Sequence, residues 1–278
     1  MAKTILTIFA GREQYLEILK IYLDKLIEQN IIDEVHLWDY TRNKKDSEYI
    51  SKLCNANSSH YKLFIPKLSK IRKWIDYYKY YAKANYNDQD IIIKCDDDVV
   101  YIDINRMQDY LLEVKEGCLY YPNIINNDVC AYFQTKNKVH RLLEEIDLLK
   151  TNMGNKEPLT QWYESTKCAD DAHKIFLKNQ NKFILEIDNI KWGSRLSINM
   201  FAGRFKTIKT YYSKFIRPYV LVGDEAFFSA KVCKIYNREN IIVPFFNIVH
   251  FAFGPQDVKY LEKKYLQQYM DLALKSTG

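Results

Sequence analysis

The sequence predicts an α/β fold with a mixed, mostly parallel central sheet flanked by helices. Three observations carry this. Apolar runs of strand length alternate with stretches of helical spacing from residue 4 onward. The first run, TILTIFA, passes through Gly11-Arg12 into residues 13–29, where Tyr15, Leu16, Leu19, Tyr22, Leu23 and Leu26 line one side of a helix. Later the run Ile91-Ile92-Ile93 leads through Lys94 and Cys95 into Asp96-Asp97-Asp98, and a second apolar run follows. In an open α/β sheet, ligands collect at the carboxyl ends of strands, where these aspartates fall.

Three adjacent carboxylates repel one another and can be buried only if positive charge sits among them. A hard divalent cation is a natural partner, because oxygen ligands suit Mg²⁺ and Mn²⁺. The alternative is a solvated acidic turn, and the apolar runs on both sides weigh against it.

At 278 residues the chain can bury a sizeable core, and it is expected to be one domain over 1–278. Residues 1–125 form one half and 126–278 the other, which ends in a helix. The net charge of +6 suits a pyrophosphate-bearing ligand or an anionic surface but is too small and scattered to argue for nucleic acid. The 23 tyrosines can act as ring platforms for a sugar or base, although coding bias explains them as simply. Cys54, Cys95, Cys118, Cys130, Cys168 and Cys233 include no CxxC pair, which points to free thiols in a reducing compartment. No signal peptide pattern and no membrane-length apolar run is present, so a soluble, cytoplasmic protein is expected. Oligomeric state stays open.

In order, 34–40 (EVHLWDY) is a second strand with Asp39 at its carboxyl end, either beside a ribose or serving the turn at Thr41. A short polar helix is expected over 45–55 and an edge strand over 61–65. Residues 68–85 form a basic, aromatic helix whose core stripe is Ile71, Trp74, Ile75, Tyr78 and Ala82. Off that stripe, Arg72 or Lys73 could reach a diphosphate. After the acids come a helix at 103–114, strands at 117–121 and 128–134, and a helix at 136–149. A lid-like loop is expected at 151–167, then a helix at 170–178 in which His173 is a packed or surface residue. Residues 192–199 form an exposed turn, and a strand ends at Gly223. Asp224 and Glu225 then open a helix, either as dipole-complementing caps or as a general base. His250 interrupts the apolar run 241–253, either as a satisfied core residue or as a ligand. An amphipathic helix covers 256–274.

The blocks FAGR, HLWDY, KCDDDVVYI, GDEAFFS and NIVHFAFG, in that order, resemble the nucleotide-sugar-dependent glycosyltransferases of the GT-A fold with an Asp-x-Asp motif. The DDD block is the specific motif; the others contribute through order and spacing. The resemblance implies a Rossmann-like nucleotide-binding half (1–125) and an acceptor-binding half (126–278). It implies a donor nucleoside-diphosphate sugar, UDP-sugar favoured, Mn²⁺ or Mg²⁺, and a glycan or glycoconjugate acceptor. Asp96 would meet the donor ribose or sugar and share the metal, Asp98 would bind the metal with Asp97 in support, and His250 would complete the metal shell. Ala10, Gly11, Arg12 and Asp39 would line the nucleotide. Asp224 or Glu225 would face the acceptor hydroxyl, with Trp192, Arg195 and Asn199 at its border. The competing readings are a nucleotidyltransferase, which usually carries a Gly- and basic-rich loop after its first strand, and a non-catalytic carbohydrate- or cation-binding module, which needs neither Asp224-Glu225 nor His250.

Overall fold

The computed structural model describes residues 2–67, 74–139, 162–216 and 222–278. Its strands are β1 (Thr4–Ala10), β2 (Glu34–Asp39), β3 (Tyr61–Phe64), β4 (Ile91–Asp96), β5 (Val99–Ile102), β6 (Tyr120–Ile125), β7 (Ile190–Trp192), β8 (Met200–Arg204) and β9 (Asn240–His250). They form one sheet in the order β3-β2-β1-β4-β8-β6-β9-β5, with β7 paired to β9. From β3 to β4 every pairing is parallel. β8 then enters antiparallel to β4, and β6 pairs in parallel with β9.

The helices flanking the sheet are α1 (Glu13–Glu28), α2 (Lys44–Ala56), α3 (Ile75–Lys83), α4 (Met107–Glu113), α5 (Asp128–Lys136), α6 (Thr166–Lys178), α7 (Phe205–Ile216) and α8 (Val258–Thr277). α1 packs with α8, and α3 with α7. The central strands are apolar on both faces because both are covered: Ile5, Leu6, Ile8, Ile92 and Ile93 are fully buried. None of the described helices is long and apolar enough to cross a membrane. The six cysteines are free; Cys118 and Cys168 are only partly buried.

Five elements differ from the sequence expectation. The turn expected to be exposed at 192–199 starts at the end of β7 and buries Leu196, Ser197, Ile198 and Asn199. The strand expected at 128–134 is helix α5, started by Asn127, whose side chain accepts the Cys130 N–H. The strand expected at 117–121 runs instead from Tyr120 to Ile125. α6 begins at Thr166, inside the expected loop, of which 151–161 lie outside the described residues, as do 140–149 of the helix expected before it. Before Gly223, Val222 is 50% exposed and belongs to no strand, while 220–221 lie outside the described residues.

The core stripe of α3 is also shifted. Tyr77, Tyr78 and Tyr81 are fully buried, whereas Trp74, Ile75 and Ala82 are only partly so; Ile71 lies outside the described residues. Tyrosines occupy the inner positions because each hydroxyl finds a partner there. Tyr77 meets Thr7 Oγ1 at 2.8 Å and the Tyr212 hydroxyl at 3.1 Å. Tyr78 donates to Asp224 Oδ2 at 2.8 Å, and Tyr81 meets His36 Nδ1 at 2.6 Å.

His36 and His173 are fully buried, and burial lowers the pKa of each to about 4. His173 Nε2 donates to the Phe251 carbonyl at 2.7 Å, and Nδ1 accepts from Tyr269 at 2.8 Å. It is a packed residue. Both rings fold neutral, but in the unfolded chain they protonate near 6.5. Their stability contribution is therefore complete above about pH 6.5 and is lost as pH falls toward 4, by up to about 1.4 kcal/mol per pH unit each. Buried carboxyls with raised pKa titrate in the opposite sense over this range, so the share is read as a difference: in urea titrations between pH 7 and 4.5 the wild type should lose stability relative to His173→Gln as pH falls. An unchanged slope would mean His173 protonates while folded. Asn127→Ala should cost about 1 kcal/mol as the loss of a helix cap, whereas a strand at 128–134 predicts no such loss.

Candidate functional site

Parallel pairing aligns the strand ends. Ala10 lies beside Asp39, and Phe9 beside Asp96. β5 follows the acids at once and sets Val99 beside His250. The Asn199 carbonyl accepts the Asp96 N–H at 2.8 Å, and the Asp98 carbonyl accepts the Phe251 N–H at 2.9 Å. The Gly11-Arg12 turn, Asp39, the three acids, Asn199 and His250 thus converge on one end of the sheet, at its parallel-to-antiparallel switch.

Asp97 and Asp98 are only 4% and 6% exposed. Their neutralising charge comes from the chain. Arg12 Nη2 bonds Asp97 Oδ1 and lies 3.0 Å from Asp98 Oδ2, while Arg12 Nε donates to Asp97 Oδ2 at 3.3 Å. Lys94, almost completely buried, bonds Asp96 Oδ1, donates to the Ile198 carbonyl at 2.6 Å and sits 5.0 Å above the Phe9 ring. The sequence argument gave this charge to a metal ion; Arg12 and Lys94 supply it first. Asp97 Oδ2 also accepts the Gly11 N–H at 2.9 Å. A Cβ on residue 11 would come within 3.3 Å of that oxygen, so glycine permits the close approach.

The acids do not share one state. Burial, opposed by Arg12, pushes Asp97 up to about 6. Burial also acts on Asp98, but the His250 ring and the Arg12 guanidinium outweigh it and hold that carboxyl well below the usual range. Burial raises Asp96, with Lys94 opposing and Asp98 adding.

Of the expected metal set, Asp98 and His250 meet: His250 Nε2 is 3.5 Å from Asp98 Oδ2. Asp96 turns to Lys94 and to Asn199 Nδ2, 3.4 Å away. No group of three or more His, Cys, Asp or Glu among the described residues forms a metal cage. A charged carboxylate with a buried imidazole is still a chemically suitable pair for Mn²⁺ or Mg²⁺, which take further oxygens from phosphate and water. His250 Nδ1 and Asn199 Oδ1 are buried without a hydrogen-bond partner, the kind of orphan that marks a ligand site.

The acceptor-side candidates gather around a second ion pair. Glu225 Oε1 accepts from Arg195 Nε at 2.9 Å and Nη2 at 2.6 Å, and Trp192 Nε1 donates to the Arg195 carbonyl at 3.1 Å. Asp224 Oδ2 accepts from Tyr78, and Oδ1 accepts the Glu225 N–H at 2.9 Å. Gly223 has φ 89°, a left-handed conformation that glycine adopts freely. From it a helical turn (Asp224–Ala226), a π-helical stretch (Phe227–Lys231) and an α-helix (Val232–Tyr236) run on continuously. The π stretch sits beside the candidate residues, a common placement.

Asp39 serves its turn: Thr41 donates to Oδ1 through its N–H at 3.0 Å and its hydroxyl at 2.6 Å, and Ser47 donates to Oδ2 at 2.7 Å. Arg72 and Lys73 lie outside the described residues. Sequence reading missed three participants. Lys94 is a lysine inside an apolar strand, which signals an internal ion pair. Tyr78 was assigned to the core without its bond to Asp224. Asp128 was hidden by reading a helix start as a strand, although Asn-Asp before an apolar run is a capping pattern.

No family model and no curated protein sequence matches this chain. Among solved structures, GalNAc-T7 with UDP, GalNAc and Mn²⁺ superposes with a TM-score of 0.52 at 12% identity, over 98% of this chain and 49% of that one. The fold is that of the GT-A-like nucleotide-sugar transferases. The present chain spans about half the length of GalNAc-T7. A 4-diphosphocytidyl-2C-methyl-D-erythritol synthase from Anaerococcus prevotii DSM 20548 (TM-score 0.48, 10% identity, 96% of this chain and 99% of that one) also matches. So does a protein described as a nucleotide-diphospho-sugar transferase from Desulfovibrio desulfuricans G20 (TM-score 0.44, 7% identity, 97% and 99%). Both superpose below the level at which a shared fold follows.

Arg12→Met should leave Asp97 and Asp98 buried against each other. Breaking a fully buried pair costs ~3–5 kcal/mol. Because the Arg12 side chain is 44% exposed, solvent screening reduces the expected loss to about 1–3 kcal/mol in urea denaturation. Asp97→Asn keeps an oxygen for the Gly11 N–H and should cost less. Equal losses would show that the guanidinium is not the neutralising group.

Proposed function

We propose that this protein is a metal-assisted glycosyltransferase that moves a sugar from a nucleoside-diphosphate sugar, most simply a UDP-sugar, to a hydroxyl of a glycan or glycoconjugate. The observation that carries the reading is the contact between His250 and Asp98 at the strand end where the Gly11-Arg12 turn also arrives. The GT-A-like fold supports it, and GalNAc-T7, which shares that fold, was solved with UDP, GalNAc and Mn²⁺.

In this reading Asp98 and His250 hold Mn²⁺ or Mg²⁺. The ion, when bound, supplies Lewis-acid stabilisation of the leaving diphosphate. Asp97 positions Gly11 and Arg12, whose half-exposed guanidinium can also reach a phosphate. Ala10 and Asp39 line the nucleotide, and Asp96, oriented by Lys94 and Asn199, meets the ribose or the sugar. Arg195 and Trp192 bound the acceptor, with Glu225 and Asp224 at its edge.

Thermal melts with UDP-, GDP- and dTDP-sugars, each with and without Mn²⁺, test the reading by mass action. One nucleotide sugar should raise the melting temperature only with the metal present, and excess EDTA should abolish both that shift and release of the nucleoside diphosphate. His250→Ala should weaken Mn²⁺ affinity by ~10–100-fold, and Asp98→Ala should abolish the metal-dependent shift. Stabilisation by no nucleotide sugar, or release of pyrophosphate from a nucleoside triphosphate, would overturn the proposal, the second in favour of nucleotidyl transfer.

A further inference from the structure

β6 ends where β9 ends, with Ile125 beside Val249, one residue short of His250. The next residues, Asn126-Asn127-Asp128, therefore leave the sheet at the same edge as Asp98 and His250. Asn126 Nδ2 fastens this turn by donating to the Phe251 carbonyl at 3.0 Å. Asn127 is fully buried, and its Nδ2 has no hydrogen-bond partner although its Oδ1 caps α5. A buried amide nitrogen left in this state is a donor for an incoming oxygen.

α5 packs against the acceptor-side candidates. The Phe133 and Trp192 rings meet edge-on at 5.7 Å, and Trp192 in turn holds the Arg195 carbonyl. From β6, the Tyr121 hydroxyl reaches the Phe228 carbonyl at 3.4 Å, in the helical segment that begins with Asp224. Asp128 thus stands in the field of both members of the Arg195–Glu225 pair. Its carboxylate is held by local backbone rather than by a side chain: Oδ1 accepts the Val129 N–H at 2.7 Å, and the residue's own N–H also bonds the carboxylate. Asp224 has both oxygens engaged, and Glu225 is held by a guanidinium. Asp128 is only partly buried, so a substrate hydroxyl can reach it.

Building on the glycosyltransferase reading, we propose that Asp128 is the catalytic base that takes the proton from the acceptor hydroxyl. The acceptor oxygen forms its bond to the anomeric carbon as the bond from that carbon to the diphosphate oxygen breaks. The electron pair leaves on the nucleoside diphosphate. The hydroxyl proton passes to the Asp128 carboxylate and then to water. Glu225 and Arg195 act as positioning residues that set the charge felt by this carboxylate. Burial first, with Glu225 adding and the Val129 N–H and Arg195 opposing, pushes Asp128 up to about 7, a suitable value for a base at neutral pH.

The test follows UDP release from whichever UDP-sugar stabilises the full chain with Mn²⁺, with water as acceptor, from pH 5 to 9. The wild-type rate should rise to a plateau with a midpoint near 7. Asp128→Asn keeps an oxygen for the Val129 N–H. It should lose that limb and ~10²–10⁴-fold in kcat, while its melting temperature and its UDP–Mn²⁺ shift stay those of the wild type. Glu225→Gln should move the limb to lower pH and Arg195→Met to higher pH, opposite displacements that a structural role for Asp128 does not produce. A wild-type rate and limb in Asp128→Asn, with donor binding retained, overturns the assignment of the base alone. Absence of any donor-dependent shift in the wild type overturns the glycosyltransferase reading instead.

Discussion

Arg12 is the residue on which the acidic turn depends. Two adjacent carboxylates with almost no access to water cannot both stay ionised unless a cation lies among them. The guanidinium touches both and arrives directly after β1. One side chain therefore ties the end of the first strand to the turn after the fourth. It lowers both acids, but burial still pushes Asp97 toward neutrality, whereas His250 joins Arg12 in holding Asp98 charged. Gly11 completes the arrangement because it lets the backbone come close enough for its own N–H to join.

The change of strand direction beside β4 gives the site two sides. On the parallel side lie Gly11, Arg12 and Asp39, each at a strand end facing the same way. On the other, β8 runs backward, so the residue before it, Asn199, arrives at that same end. The result is two small electrostatic centres. One joins Arg12, Asp97, Asp98 and His250; the other joins Arg195 and Glu225, whose charges are felt at Asp128.

Much of the parallel half was legible in the sequence, because strands covered on both faces read as unbroken apolar runs; TILTIFA and the IIIKCD stretch are examples. The acidic turn and its late histidine were also visible as residues. Their pairing was expected only through the resemblance and not from spacing, since the contact between Asp98 and His250 depends on β5 lying beside β9, a long-range fact. α5 was misread because Val129, Cys130 and Ala131 form a short apolar run that suits either a strand or a helix, and only the Asn127 cap decides it. The tyrosines of α3 were undervalued because their burial rests on hydroxyl partners in distant segments, such as Thr7, Tyr212 and Asp224.

The pairing of β4 carries a kinetic consequence. Ile91 is matched to Thr4 on one side and to Arg204 on the other, so the central strand closes loops that span much of the chain. Loop-closure entropy must be met before such contacts repay it, so these pairings favour slower folding than local contacts would. During synthesis Arg12 is already present when the three aspartates emerge, but His250 is not. Arg12 can therefore neutralise the acidic turn early, while the contact of Asp98 with His250 waits until β9 docks beside β5. The binding surface is then one of the last parts to form, and nascent chains that stop short of β9 carry the aspartates without the histidine that shares their oxygen.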